Sequence, residues 1–315
     1  MYTPGRRYSP VLPSSINWLQ QLTATGDTAR ARDNKERRQN EMRLTKKTIY
    51  RLNGIEFDGK KLTAPDGMQL NELLKLGNTK IGKVWQFSSM PTAKAIKTRS
   101  YGIVNGTCPC TCEHCYGTCG NYCFPSVRDA LARNTIVARE YLNWTMSALR
   151  AQLTFITKDG TKSVNVRIHV TGDFFSLDYA TMWKILAIQF PCVNFWTYTK
   201  SVYGHVFDDV KNVNIVKSII DGIGFNFGTI AYILDTYRYL VKAGKSVYVC
   251  PCGIENDETH CDTCTGCREH EYVLFVLHST PDYKAVDDEL YPVFKAFIDY
   301  QKTMSPEDLV AWLEA

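Results

Sequence analysis

Val164-Asn165-Val166-Arg167-Ile168-His169-Val170-Thr171-Gly172-Asp173 decides how the rest of this chain is read. Apolar residues fall at every second position, which predicts a strand with one buried face, and the run stops at a glycine–acid turn. Asp178 to Gln189 then predicts a helix, and Val193 to Tyr198 a second strand ending at Thr199-Lys200-Ser201. Further strands are expected over Asn212 to Ile219, Ser246 to Cys250 and Tyr272 to His278, with a helix over Thr229 to Ala243 that Gly244 stops. On the amino-terminal side, Tyr101 to Asn105 predicts a short strand running directly into a cysteine-rich stretch. After it, Pro125-Ser126 opens a helix whose apolar residues at 127, 130, 131, 138, 142, 146 and 149 form one stripe. Ser305-Pro306-Glu307-Asp308 opens the last helix.

Repeated strand-then-helix units imply a parallel sheet with right-handed crossovers, and six of them suffice for a partial (β/α)6 barrel. Ligands in such sheets sit beyond the carboxyl ends of the strands. Four features follow expected strands: the cysteine stretch, Thr171-Gly172-Asp173, Thr199-Lys200-Ser201 and Cys250. They are therefore expected on one rim.

The organisation expected along the chain has three parts. Residues 1–80 form a small basic module, 81–245 the barrel core with the first cysteine cluster, and 246–315 the last strands, a cysteine-rich metal-binding insertion and closing helices. Within the first part, residues 1–14 carry three prolines and read as an arm, and Thr28 to Arg51 reads as a charged helix. Asp58-Gly59 has hairpin-turn chemistry, and Met68 to Leu76 reads as a second helix ending at Gly77.

Residues 1–51 hold eleven Lys or Arg against four Asp or Glu, an excess above the net +5 of the whole chain. That asymmetry points to an anionic partner, nucleic acid first, gripped through residues 1–51. No uncharged apolar run approaches the ~18 residues that span a bilayer, and the first residues lack a signal-peptide core, so a cytoplasmic, membrane-free protein is expected. Eleven of the twelve cysteines fall in two tight groups, a pattern of metal binding rather than of a disulfide framework in a reducing compartment. Cys192, the exception, reads as a small buried hydrophobe.

In the first group Cys108, Cys112 and Cys115 form C-x3-C-x2-C, three thiolates that leave one position of a four-iron cluster open. Zinc is the alternative, with Cys119 and Cys123 able to complete its set; Cys110 and His114 stand beside the triad. In the second group, Cys250 with Cys261, Cys264 and Cys267 offers four ligands that close a coordination sphere, for a second [4Fe-4S] cluster or for zinc, with Cys252 nearby.

A C-x3-C-x2-C loop after a first strand and a glycine–acid motif after a second resembles the radical S-adenosylmethionine superfamily. That resemblance implies a [4Fe-4S] cluster on Cys108, Cys112 and Cys115, with S-adenosylmethionine chelating the fourth iron. It also implies Gly172 and Asp173 at the methionine end of the cofactor, Thr199 and Lys200 at its ribose or carboxylate, and Tyr116 beside it. As a set, Gly77-Asn-Thr-Lys-Ile-Gly-Lys83, Cys112-x2-Cys115-Tyr116, Arg133-Asn134, Arg167 to Ser176, Tyr198 to Ser201 and the cysteine tail resemble a phage-associated family, gene product eighty-eight. This second resemblance covers about 77–280 and implies a phage or mobile-element origin. The expected activity is reductive cleavage of S-adenosylmethionine, fed by an electron donor, to modify an unidentified substrate with nucleic acid as the leading candidate. The alternative is a non-enzymatic nucleic-acid-binding protein stabilised by zinc or iron–sulfur.

Overall fold

The computed structural model describes residues 50–52, 55–57, 59, 61–63, 69–77, 82–112, 115–220, 223–251, 261, 263–276 and 289–315. All lie in the second of the chain's two units, 49–315. The arm and the charged helix expected over 1–14 and 28–51 lie outside them, save for Tyr50 and Arg51, which open a strand.

Four short strands lead: β1 (Tyr50–Leu52), β2 (Ile55–Phe57), β3 (Lys61–Thr63) and β4 (Gln69–Asn71), paired in sequence order and antiparallel. The β2–β3 hairpin turns at Gly59, whose φ of +88° suits the residue without a Cβ. The helix expected over Met68 to Leu76 is not formed. That segment instead supplies β4 and β5 (Lys75–Leu76). The reason lies in its amide groups: Leu73 and Leu74 donate their N–H to the side-chain oxygen of fully buried Gln152, at 2.9 and 3.1 Å, and both leucine side chains enter the core. Donors bound to another element are not available for a helical ladder.

β6 (Val84–Gln86) starts the main sheet, which curls into a half-barrel. β7 (Ala95–Lys97) and β8 (Ile103–Asn105) form a separate antiparallel ribbon. The strand expected at Tyr101 to Asn105 thus exists without joining the sheet; Val104 buries its side chain in a small separate core with Met90, Leu131 and Ala132, while Ile103 is 74 % exposed. The first strand of the parallel series is β6, and the cysteine stretch follows the ribbon inserted after it. Next come α1 (Pro125–Glu140) and α2 (Leu142–Ile156), where the sequence shows one stripe. Tyr141 breaks it with φ −131° and ψ 53°, and the Thr145 hydroxyl spans the break by donating to the Val137 carbonyl at 2.9 Å.

β9 (Val164–Ile168), α3 (Leu177–Gln189), β10 (Val193–Thr199) and β11 (Val213–Lys217) follow as read, with Ser176 capping α3 through the Tyr179 amide at 3.2 Å. β10 leads to β11 through a 3-10 turn, Val202–Phe207. A small ribbon of β12 (Ile219–Ile220) and β13 (Gly224–Phe225) and a two-residue β14 (Phe227–Gly228) precede α4 (Ile230–Lys242), β15 (Val247–Val249), α5 (Gly266–Glu269) and β16 (Tyr272–Val276). α6 (Tyr291–Tyr300) and α7 (Pro306–Glu314) close the chain, the latter capped by Ser305 as expected. The sheet runs β5-β6-β9-β10-β11-β16, with β14 and β15 also paired to β16; every pairing is parallel except β5 with β6. Among the described residues no helix is long and apolar enough to cross a membrane.

Side-chain alternation separates the two faces of the sheet. Val164, Val166, Ile168 and Phe195 pack against α2 and α3 in a core containing Leu149, Leu153, Tyr179, Trp183 and Leu186. Each large apolar side chain so buried contributes about 1.5–3 kcal/mol. Asn165, Arg167, Trp196, Tyr198 and Asn214 occupy the alternate positions, and three of them bond segment 263–270: Asn165 accepts from Arg268, Tyr198 donates to Cys267, and Asn214 donates to the carbonyls of Cys267 and His270. A second core joins α4, β15, β16, α6 and α7 around Tyr237, Phe294, Phe297 and Leu309.

At the end of β9, His169 takes a φ of +59°, unusual outside glycine, with its ring fully buried near Phe87 and Phe174 and its Nε2 2.9 Å from the Tyr179 hydroxyl. Burial holds its pKa down to about 3, so the unfolded chain binds a proton here that the folded chain refuses. Stability from this group is therefore present above about pH 6.5 and lost as pH falls towards 3, at up to about 1.4 kcal/mol per pH unit. His169→Asn, which tolerates a positive φ and does not titrate, is expected to flatten the pH dependence of urea unfolding between pH 6.5 and 4; an unchanged slope would refute this account.

Candidate metal centres

The β6 end and the β9 end run side by side, Phe87 donating to the Arg167 carbonyl at 3.1 Å and Ser89 to the Thr171 carbonyl at 3.0 Å. Two further contacts bring the cysteine loop to them. The Thr107 hydroxyl donates to the Met90 carbonyl at 2.9 Å and accepts the Asp173 amide at 2.9 Å. Gly172, at φ +87°, would place a Cβ 2.0 Å from Ser89 Oγ and 2.5 Å from Thr107 Oγ1. Gly106 is equally constrained, since a Cβ there would lie 1.9 Å from the Thr92 carbonyl oxygen. Close approach of three backbones is what these glycines permit.

Asp173 is 2 % exposed, and its carboxylate accepts three hydrogen bonds: from the Thr199 hydroxyl at 2.6 Å, the Lys200 amide at 2.8 Å and the Phe174 amide at 2.8 Å. Burial raises its pKa while these donors oppose the rise. The expected site residues at the ends of β9 and β10 are thereby tied together.

The thiols of Cys108, Cys112 and Cys115 gather beside them. Cys112 is buried, the other two half-buried, and the three interact electrostatically with one another, with Asp173 or with Lys200. Burial pushes Cys108 up to about 12, with the Asp173 carboxylate adding to the rise and Lys200 opposing it. Cys112 and Cys115 are raised by burial as well. Against this, backbone amides point at the sulfurs: Thr92, at φ +62°, faces Cys108 and Cys115, and Gly117 faces Cys115. Amides aimed at sulfur are the surroundings a thiolate requires, and a bound cation would convert the thiols to thiolates with release of protons. Tyr116 follows Cys115 directly; its hydroxyl donates to the Val170 carbonyl and lies 3.4 Å from an Arg167 guanidinium nitrogen.

The remaining cysteines of this stretch separate from the triad. Cys119 and Cys123 sit exposed on two short 3-10 turns, their thiols donating to the Tyr116 and Thr118 carbonyls. Cys110 stays beside Cys112. His114 and Cys252 lie outside the described residues.

Cys250, Cys261, Cys264 and Cys267 line one pocket together with Trp196, Pro251 and Arg268. Cys267 accepts the Tyr198 hydroxyl at 2.6 Å, and burial pushes its thiol up to about 11. Gly266 packs where a Cβ would meet the Tyr248 ring at 2.2 Å. Two arginines flank the cysteines. Arg268 donates to Asn165 and to the Cys264 carbonyl, and Arg167 lies within electrostatic reach of Cys261 and Cys267. The Nε of each is buried without a hydrogen-bond partner. Four thiols beside two under-bonded guanidinium groups suit an anionic tetrathiolate centre, whose charge those groups would offset. Among the described residues no three Cys, His, Asp or Glu side chains are already drawn together as a ligand set, so either centre would need its thiols to close in.

The sequence profile of one family, Gene product 88, matches residues 71–270. The chain belongs to that family. The match takes in both cysteine groups and every site residue described above, and Gene product 88 is a phage protein family. No curated protein and no solved structure matches the chain. Reasoning from sequence brought Cys108, Cys112, Cys115, Tyr116, Gly172, Asp173, Thr199 and Lys200 to one place and the four later cysteines to another. It passed over Ser89, Thr92 and Thr107, which hold the Gene product 88 loop together, because a lone hydroxyl residue carries no spacing signal.

The Thr199 hydroxyl also accepts the Ser201 amide at 2.9 Å. Thr199→Val therefore removes one bond from a buried carboxylate and strands an amide, and it is expected to cost about 1.5–3 kcal/mol of unfolding free energy by urea titration, with Thr199→Ser restoring most of it.

Proposed function

We propose that this Gene product 88 protein is an iron–sulfur enzyme of the radical S-adenosylmethionine type, on a partial (β/α)6 barrel, that modifies an anionic macromolecule, nucleic acid before others. The observation that supports this reading is the gathering of the C-x3-C-x2-C thiols with Asp173 and Lys200 at the carboxyl ends of β9 and β10, where parallel sheets bind ligands.

Each group there has a task its geometry suits. Amides of Thr92 and Gly117 would stabilise Cys108 and Cys115 as thiolates. Lys200 carries positive charge beside all three sulfurs and would offset their negative charge or pair with a carboxylate of the cofactor. Asp173 Oδ2 accepts one hydrogen bond, leaving acceptor capacity for an ammonium group. A four-iron cluster held by Cys108, Cys112 and Cys115 would supply the open iron for the amino and carboxylate groups of S-adenosylmethionine and the electron for reductive cleavage. The second group, with all four positions filled by cysteine, would hold a closed centre, a second [4Fe-4S] cluster or zinc. Positive charge concentrated in residues 1–51 is what favours nucleic acid as the substrate class.

Protein purified without oxygen is expected to be brown, to absorb near ~400 nm with several irons per chain, and to form 5′-deoxyadenosine from S-adenosylmethionine under a strong reductant. Cys112→Ser is expected to abolish that product while retaining iron in the second group if it is a cluster. Colourless protein carrying zinc alone would overturn the proposal in favour of a nucleic-acid-binding protein stapled by metal.

A further inference from the structure

Arg167, the penultimate residue of β9, is half-buried with its Nε enclosed, on the sheet face opposite the helices, where a cation is expensive unless charge or hydrogen bonds meet it. Among the described residues it forms no ion pair with a carboxylate. Its neighbours are Tyr116, Tyr198, Cys267 and Cys261. The guanidinium carbon stacks 4.7 Å from the centre of the Tyr198 ring, and one terminal nitrogen lies 3.4 Å from the Tyr116 hydroxyl. Tyr198 in turn donates its hydroxyl to Cys267 Sγ at 2.6 Å. Tyr116 adjoins Cys115 of the first group, and Cys267 belongs to the second. Contacts therefore run from Tyr116 through Arg167 and Tyr198 to Cys267, linking the loop of the first cysteine group to the second.

We propose that Arg167 and Tyr198 form a bridge coupling the two cysteine centres, with Arg167 serving both as counter-charge for the thiolates of the second and as anchor for the Tyr116 loop of the first. The proposal rests on the reading that both groups hold metal. A planar guanidinium suits both tasks at once. Its face lies on an aromatic ring while its edge meets a hydroxyl, an arrangement that the compact, strongly hydrated ammonium of lysine does not reproduce. The unpartnered Nε leaves a donor for the anionic centre. Arg268, the other guanidinium at the second pocket, bonds Asn165 and the Cys264 carbonyl, and among the described residues no hydrogen bond ties it to the Tyr116 loop, so it provides the internal control.

The test uses full-length, metal-loaded protein. After a timed pulse of chelator, free thiols are alkylated and mapped by peptide mass spectrometry, because metal-bound cysteines resist alkylation. Tyr198→Phe, which keeps the ring, and Arg268→Gln are expected to speed exposure of Cys250, Cys261, Cys264 and Cys267 on the order of 10–100-fold, the usual effect of groups that orient ligands, and to leave Cys108, Cys112 and Cys115 at wild-type rates. Arg167→Gln is expected to speed both groups. If it does not fold by circular dichroism, Arg167→Lys answers the same question, with acceleration at both groups expected. An Arg167 variant that affects the second group alone, as Arg268→Gln does, or neither group, overturns the bridge. Wild-type protein whose cysteines in one group alkylate at once, before any chelator, overturns instead the reading on which the bridge rests.

Discussion

A buried carboxylate with three internal donors fixes the geometry of this protein. Asp173 receives the hydroxyl of Thr199 and the amides of Lys200 and Phe174, and its own amide is held by Thr107. Through those four contacts the ends of two neighbouring strands and the start of the cysteine loop become one rigid piece. Burying an ionised carboxylate is unfavourable by several kcal/mol unless its oxygens are satisfied. Here the satisfaction comes from the very backbone that must be positioned, so that loss of the charge and loss of the loop geometry are one event. Glycine at 172 and at 106 is the complement of this knot, since hydroxyl and carbonyl oxygens occupy the space a side chain would need.

The other face of the sheet obeys a different rule. Between Asn165 and Asn214 it presents polar and aromatic side chains to segment 263–270 rather than a second layer of aliphatics. A half-barrel lined this way cannot close on itself by hydrophobic packing. The cysteine segment closes it, and its positive neighbours make the charge state of the thiols part of the packing.

Much of this could be read in advance at β9, α3 and β10, because β9 alternates apolar and polar residues up to Thr171-Gly172-Asp173, Ser176 caps α3, and Thr199-Lys200-Ser201 closes β10. Elsewhere the signals misled for identifiable reasons. Leucines 70, 73, 74 and 76 have helical spacing, but the Gln152 side chain takes the amides of Leu73 and Leu74 and draws the segment into strands. β6 is three residues long, too short to show alternation, so the sequence favours β8 as the first strand of the series although β8 belongs to an inserted ribbon. At Tyr141 a single residue leaves the helical region, and no glycine or proline announces it. The site residues were legible because cysteine spacing and glycine–acid turns are chemically specific. Arg167 carries no such signal, its reach to both cysteine groups being a product of sheet register that no linear reading contains.

The two-residue strands at the margins of the sheet carry a consequence for colloidal behaviour. A parallel sheet exposes unpaired peptide groups along its outermost strands, and a long flat margin recruits copies of the same chain into ribbons. Here one margin is β5, only two residues long, reversed in direction and ending in exposed Lys75 and Leu76; at the other, β14 offers two residues and β15 three. Such margins give an incoming strand little to extend, so copies of this sheet are poorly suited to joining edge to edge.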